Sequence, residues 1–252
     1  MIITLFKSLV PLLNIKNKEK KLYESIGTAL YVQFNEHKYL ITARHVADFH
    51  YCGNNRNTEV KGIPQIPLNK NYLGNIPCIQ NLKGKFICTK SCDTDIDIAF
   101  YPLASDLERF TPIKIDVELP KLSKTSFLCM GYPSTRFKNE INSCKSQLVN
   151  FIGPKGKINP IPKELLNQCF GSVNFIKDKC FDANKNNTQF PKPNGMSGGV
   201  AIGFNQEMNN FCLAGIITQY EPDRTRNQVL TYTRIENIQR MLTDAENRYC
   251  YR

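Results

Sequence analysis

From residue 26 onward the sequence is a succession of short apolar runs, each broken by Gly, Pro, Asn or a charged cluster. A long helix does not survive such punctuation, whereas strands of about four to eight residues fit between the breaks. Residues 27–34 are rich in strand formers, residues 35–38 read as a turn, and residues 39–43 return as a second strand. That hairpin carries Arg44-His45-Val46-Ala47 at its exit. Residues 97–103, 126–132, 147–152, 199–203 and 212–218 are further strand candidates, and residues 52–85 read as loops around short strands. Only near the end does the period change, where Ile235, Ile238, Met241 and Leu242 share one helix face. The pattern predicts an all-β barrel or sandwich closed by a C-terminal α-helix.

The 252 residues, 41% of them hydrophobic, suit one large domain or two small, tightly packed ones with a buried core. Residues 1–13 are apolar, but Lys7 and Pro11 interrupt them, no basic segment precedes them, and no small-residue cleavage site follows. We therefore expect an N-terminal helix or strand packed on the domain, then a polar, lysine-rich connector at residues 14–21. No apolar run reaches the length of a membrane span. The expected location is cytoplasmic, with secretion or the periplasm as the alternative.

Ten cysteines leave a disulfide framework and buried thiols both open. Cys88 and Cys92 have no second pair at zinc-like spacing, so no metal is expected. The net charge of +11 is scattered through loops, not set in a stripe with interleaved aromatics. It reads as a solvated basic surface, and a nucleic-acid-associated module has no motif behind it.

The chemistry centres on Pro193-Asn194-Gly195-Met196-Ser197-Gly198-Gly199-Val200. A serine hydroxyl is a weak nucleophile until a base stands beside it and donors await the oxyanion it creates. Flanking glycines let a substrate carbonyl approach bare backbone N–H groups. The base must be a histidine from the start of the chain, because His37, His45 and His50 are the only three. An α/β-hydrolase needs a histidine after its serine and a helix following the serine, and neither is present. The subtilisin order needs an aspartate before its histidine, and none precedes His45. A papain-like order needs a histidine after a cysteine, yet the first cysteine, Cys52, follows the last histidine. The order that remains is His, Asp, Ser.

Thr42-Ala43-Arg44-His45-Val46, Asp97-Ile98-Ala99-Phe100 and Gly195-Met196-Ser197-Gly198-Gly199, in that order, resemble the trypsin-like (chymotrypsin-fold) serine peptidases. The resemblance spans roughly residues 25 to 235. It implies two packed six-stranded antiparallel β-barrels, the first at residues 22–115 and the second at 116–252, after an N-terminal segment at 1–21. It implies catalysis in the cleft between them by His45, Asp97 and Ser197, with the backbone N–H groups of Gly195 and Ser197 as the oxyanion hole. The substrate would be protein or peptide, with no metal or organic cofactor.

Other residues compete for these roles. His37 reads as a solvated turn residue and His50 as a surface residue. Asp93, Asp95 and Asp97 alternate, and Asp95 is the alternative acid. An EF-hand fails there, because its sixth position would be Ile98 and its twelfth Ala104.

Two departures separate the chain from the digestive members. Val46 replaces a cysteine, so a bracing disulfide is absent. Met196 replaces the aspartate that pairs with a newly cleaved N-terminus, so activation by that salt bridge is not expected. The pattern is closer to HtrA-like and bacterial or viral types, without an appended PDZ-like domain. The implied pocket floor falls near Pro191, and no acid lies between Asn184 and Ser197, which argues against a pocket for Arg or Lys. Lys192 reads as a solvated loop residue, and Asn194 is assigned no chemistry. The rival reading is a catalytically silent domain that binds protein or peptide, or one switched on by an activating partner protein.

Overall fold

A computed structural model describes residues 2–17, 22–48, 65–67, 79–82, 87, 96–107, 110–115, 126–140, 143–146, 148–155, 169–175, 180–182, 195–205, 210–221 and 228–249. The first half forms helix α1 (Ile2–Ser8), strands β1 (Leu9–Asn17), β2 (Leu22–Phe34) and β3 (His37–Thr42), and the short helix α2 (Arg44–Asp48). Strands β4 (Gln65–Pro67), β5 (Ile79–Asn81), β6 (Ala99–Leu103) and β7 (Ile113–Lys114) complete one seven-stranded sheet. Its order is β5-β4-β1-β2-β3-β6, antiparallel throughout, with β7 added parallel to β2.

The second half forms β8 (Ser126–Gly131), the small hairpin β9 (Phe137–Glu140) and β10 (Ser143–Ser146), then β11 (Val149–Pro154), β12 (Phe170–Phe175) and β13 (Cys180–Asp182). Strands β14 (Val200–Asn205), β15 (Asn210–Glu221) and β16 (Gln228–Arg234) follow, and helix α3 (Ile235–Tyr249) ends the order. These make a second antiparallel seven-stranded sheet, β12-β16-β15-β14-β8-β11-β13. The protein is thus mostly β with a C-terminal helix, as its patterning predicts. The described residues form two large sheets rather than two closed six-stranded barrels. Curling is nonetheless visible, because Lys155, just past β11, bridges Val173 of β12, two strands far apart in the sheet order.

Alternation along β2 explains the packing. Ala29 and Tyr31 face a core with Val10, Leu12, Leu40 and Ala99, enclosed by the first sheet. Leu30 and Val32 face the opposite way, into a core shared with Leu5 of α1, Val200, Ile202 and Ile216 of the second sheet, and Ile235, Ile238 and Leu242 of α3. A third core, with Phe127, Phe151, Val173 and Tyr232, fills the second sheet. Central strands that bury both faces read as near-continuous apolar runs, as residues 29–32 do. The shared core brings one edge of the serine loop against β2.

Two of the segments read from the sequence fold differently. Residues 14–17 belong to β1 rather than to a connector: pairing with β2 continues through Asn14↔Glu24 and Ile15↔Tyr23. The Asn14 amide donates to the Glu24 carboxylate at 3.1 Å, which adds a side-chain bond to the ladder. His37 lies at the start of β3, not in the turn, which narrows to Asn35 and Glu36. Asn35 takes φ +51, a left-handed conformation that asparagine tolerates well.

Helix α3 reaches back to the first sheet. Glu246 accepts from the Asn35 amide at 2.6 Å and from the Tyr39 hydroxyl at 3.0 Å. The Gln239 amide donates to the Ile115 carbonyl. These contacts tie the last element to the first hairpin, at Asn35 and Tyr39, and to the residue that follows β7.

Candidate active site

Strand β3 ends at buried Thr42, buried Ala43 follows, and the chain then turns once as α2. Val46 and Ala47 are buried and anchor that turn, both donating N–H bonds to the Ala43 carbonyl at 3.1 and 3.2 Å. With that face buried, the neighbouring His45 side chain is left 54% exposed. Asp97 is placed by a similar logic: its neighbours Ile96 and Ile98 are buried, while its own side chain is 31% exposed.

The two residues meet. Asp97 Oδ2 lies 2.6 Å from His45 Nδ1, and Oδ1 accepts the His45 backbone N–H at 2.9 Å. The Asp97 carbonyl also accepts the Arg44 N–H, at 3.2 Å. A carboxylate only accepts, so Nδ1 donates its N–H to Asp97, and in the neutral imidazole Nε2 is the nitrogen that keeps the lone pair. One side chain therefore fixes both the tautomer of the imidazole and the backbone that carries it. Asp93, Asp95 and His50 lie outside the described residues.

The serine loop is built from backbone. Gly195 and Gly198 take φ +92 and +85, conformations that favour glycine. A Cβ at Gly198 would overlap the Thr28 carbonyl, and one at Gly195 would lie 2.6 Å from the Ser134 nitrogen. Met196 is fully buried in the core of the second sheet, so an apolar anchor stands where the resemblance has an aspartate. The Gly198 N–H donates to the Ile217 carbonyl at 2.7 Å and the Gly199 N–H to the Met196 carbonyl at 2.8 Å. By contrast, the N–H groups of Gly195, Met196 and Ser197 take no partner among the described residues.

The serine loop and the helix α2 that carries His45 both pack on β2. The Ser197 carbonyl accepts the Thr28 N–H at 2.9 Å. A Cβ at Gly27 would lie 2.6 Å from Val46 and 3.2 Å from the Ser197 carbonyl, so the residue after His45 and the serine backbone share one glycine as neighbour. His45 and Asp97 are joined directly, and no hydrogen bond joins Ser197 to the imidazole. Such bonds are often long before substrate arrives.

Among the described residues, Cys169 is a partly buried free thiol. Cys129 and Cys212 are buried free thiols, and burial pushes the Cys129 thiol well above its ordinary range. Among the described residues, no three His, Cys, Asp or Glu side chains are grouped to hold a metal. No described helix is long and apolar enough to cross a membrane. Pro191, Lys192 and Asn194 lie outside the described residues.

Thr28 is the residue that sequence reading misses. It sits inside an apolar run as one more strand former, and only the fold reveals that all its polar atoms reach across elements. Neither any protein-family model nor any curated protein matches the chain.

Proposed function

We propose that this chain is a trypsin-like serine endopeptidase of the type that needs no zymogen cleavage, with each sheet one barrel of the pair. The observation that carries the reading is the double engagement of Asp97 with His45, at the side chain and at the backbone. An incidental surface ion pair needs only one of these contacts. A general base needs both, because its tautomer and its position must be fixed together.

Ser197 Oγ attacks the scissile carbonyl carbon while His45 Nε2 removes its proton. The tetrahedral oxyanion is held by the N–H groups of Gly195 and Ser197. Collapse breaks the C–N bond, and His45 returns the proton to the leaving amine. Water, deprotonated by His45, then attacks the acyl carbon; the C–Oγ bond breaks, His45 returns the proton to Ser197 Oγ, and the acid is released. Asp97 stays ionised throughout and stabilises the imidazolium. The residues need no metal or organic cofactor for these steps, and the substrates are proteins or peptides.

The test is a mixed peptide library incubated with the full chain and with Ser197→Ala, with new termini read by mass spectrometry. New termini in the first sample alone are expected. Cleavage that persists in Ser197→Ala would refute the assignment.

A further inference from the structure

Thr28 is wholly buried in β2, and each of its polar atoms has a partner. Its N–H donates to the Ser197 carbonyl at 2.9 Å. Its carbonyl accepts the Thr42 hydroxyl at 2.7 Å. Its Oγ1 stands between the Tyr132 N–H, at 2.9 Å, and the Gly195 carbonyl, at 3.2 Å. A backbone N–H can only donate, so Oγ1 accepts from Tyr132. The single hydroxyl proton is then left for Gly195. This chain of bonds has one direction.

The consequence falls on the serine loop. A trans peptide is planar, and its C=O and N–H point opposite ways. Holding the Gly195 carbonyl toward β2 turns the Met196 N–H away from β2. Holding the Ser197 carbonyl there turns the Gly198 N–H away, toward Ile217, where it bonds at 2.7 Å. One residue of the first sheet thus grips the loop of the second at both ends. Met196 is apolar and supplies no charge to hold the loop.

We infer that Thr28 is the positioning residue of the oxyanion loop, its hydroxyl doing the ordering that a cleaved amino terminus performs in zymogen-type enzymes. The inference rests on the serine-peptidase reading of Ser197. Thr28 touches no reacting atom and acts through the backbone of Gly195 to Ser197. Serine meets the requirement. Valine matches the shape but takes the hydroxyl away from the Tyr132 N–H and the Gly195 carbonyl.

The experiment uses the full chain as wild type, Thr28→Ser, Thr28→Val and Thr28→Ala. Two quantities are measured: the rate of fluorophosphonate adduct formation at Ser197 by intact mass, and amide hydrogen exchange over residues 195–199. Thr28→Val and Thr28→Ala should slow maximal labelling on the order of 10²-fold, the scale of one lost oxyanion donor, with the half-saturating probe concentration little changed. Exchange at Gly198 and Gly199 should accelerate in the same two variants. Thr28→Ser should keep both properties near wild type. Thr28→Val that labels and exchanges like wild type would overturn the inference. So would Thr28→Ser as slow as Thr28→Val, since packing of the methyl group would then be the cause. If wild type takes no label, the serine reading falls, and the exchange comparison still decides whether Thr28 holds the loop. If circular dichroism shows Thr28→Val unfolded, Thr28→Ala against Thr28→Ser carries the same comparison.

Discussion

Asp97→Asn separates orientation of the histidine from mere proximity. Asparagine has the same shape but offers one acceptor and one donor where aspartate offers two acceptors. The His45 backbone N–H, now bonded to Oδ1 at 2.9 Å, still needs an acceptor, so the amide oxygen takes that place. The amide NH₂ is then set against Nδ1, which Oδ2 now meets at 2.6 Å. Two donors cannot face each other, so Nδ1 becomes the acceptor and the imidazole proton moves to Nε2. That nitrogen can no longer accept the Ser197 proton. A wrong tautomer of this kind lowers turnover by about 10⁴-fold, or about 5 kcal/mol of activation free energy. The fold should be little affected, because the backbone bond survives. The assay is adduct formation at Ser197, or cleavage of a substrate from the peptide library, at pH 7 with the melting temperature measured alongside. A loss below about tenfold in a folded variant would refute the orientation argument. A mild effect here with a severe one in Asp95→Asn would move the acid to Asp95.

Gly198→Ala should lose about 2–3 kcal/mol of stability and all labelling, because φ +85 disfavours a side chain and the new Cβ would strike the Thr28 carbonyl; denaturant titration and intact mass check both. The chain should react with the probe without N-terminal processing, and removing residues 2–13 should unfold it rather than activate it, since Leu5, Leu9, Leu12 and Leu13 are fully buried; circular dichroism decides. Burial and the hydrogen bond to Asp106 push the Tyr31 hydroxyl up to about 12, from an ordinary value of 10.0. The folded state then holds that proton more tightly than the unfolded one. Stability from this source is full below about pH 10 and falls as pH rises toward 12. Melting temperatures over that range should fall less steeply in Tyr31→Phe, though not level off, because burial raises Tyr232 as well.

The strands that the sequence makes legible are those whose chemistry is local. Residues 29–32 and 39–41 carry unbroken apolar runs, and α3 carries its burial at Ile235, Ile238, Met241 and Leu242. Strand β16 is harder to see, because Thr231 and Thr233 interrupt its apolar alternation with hydroxyls that the fold nevertheless buries. The far end of β1 is obscured for a different reason, since Asn14 and Asn17 look like loop residues and only pairing with β2 makes them strand. Within the candidate site, His45, Asp97 and Ser197 stand out because order along the chain limits which chemistry they can serve. Thr28 does not, because its role depends on Tyr132 and Gly195, residues more than a hundred positions away. A hydroxyl in an apolar strand carries no local sign of what it will meet.

The central claim is that Ser197 becomes a nucleophile through His45. Its most direct test is incubation of the intact chain with a fluorophosphonate, followed by peptide mapping. A single adduct on Ser197, absent in His45→Ala, is the predicted result. An unmodified Ser197, or an adduct that forms equally well in His45→Ala, would contradict it.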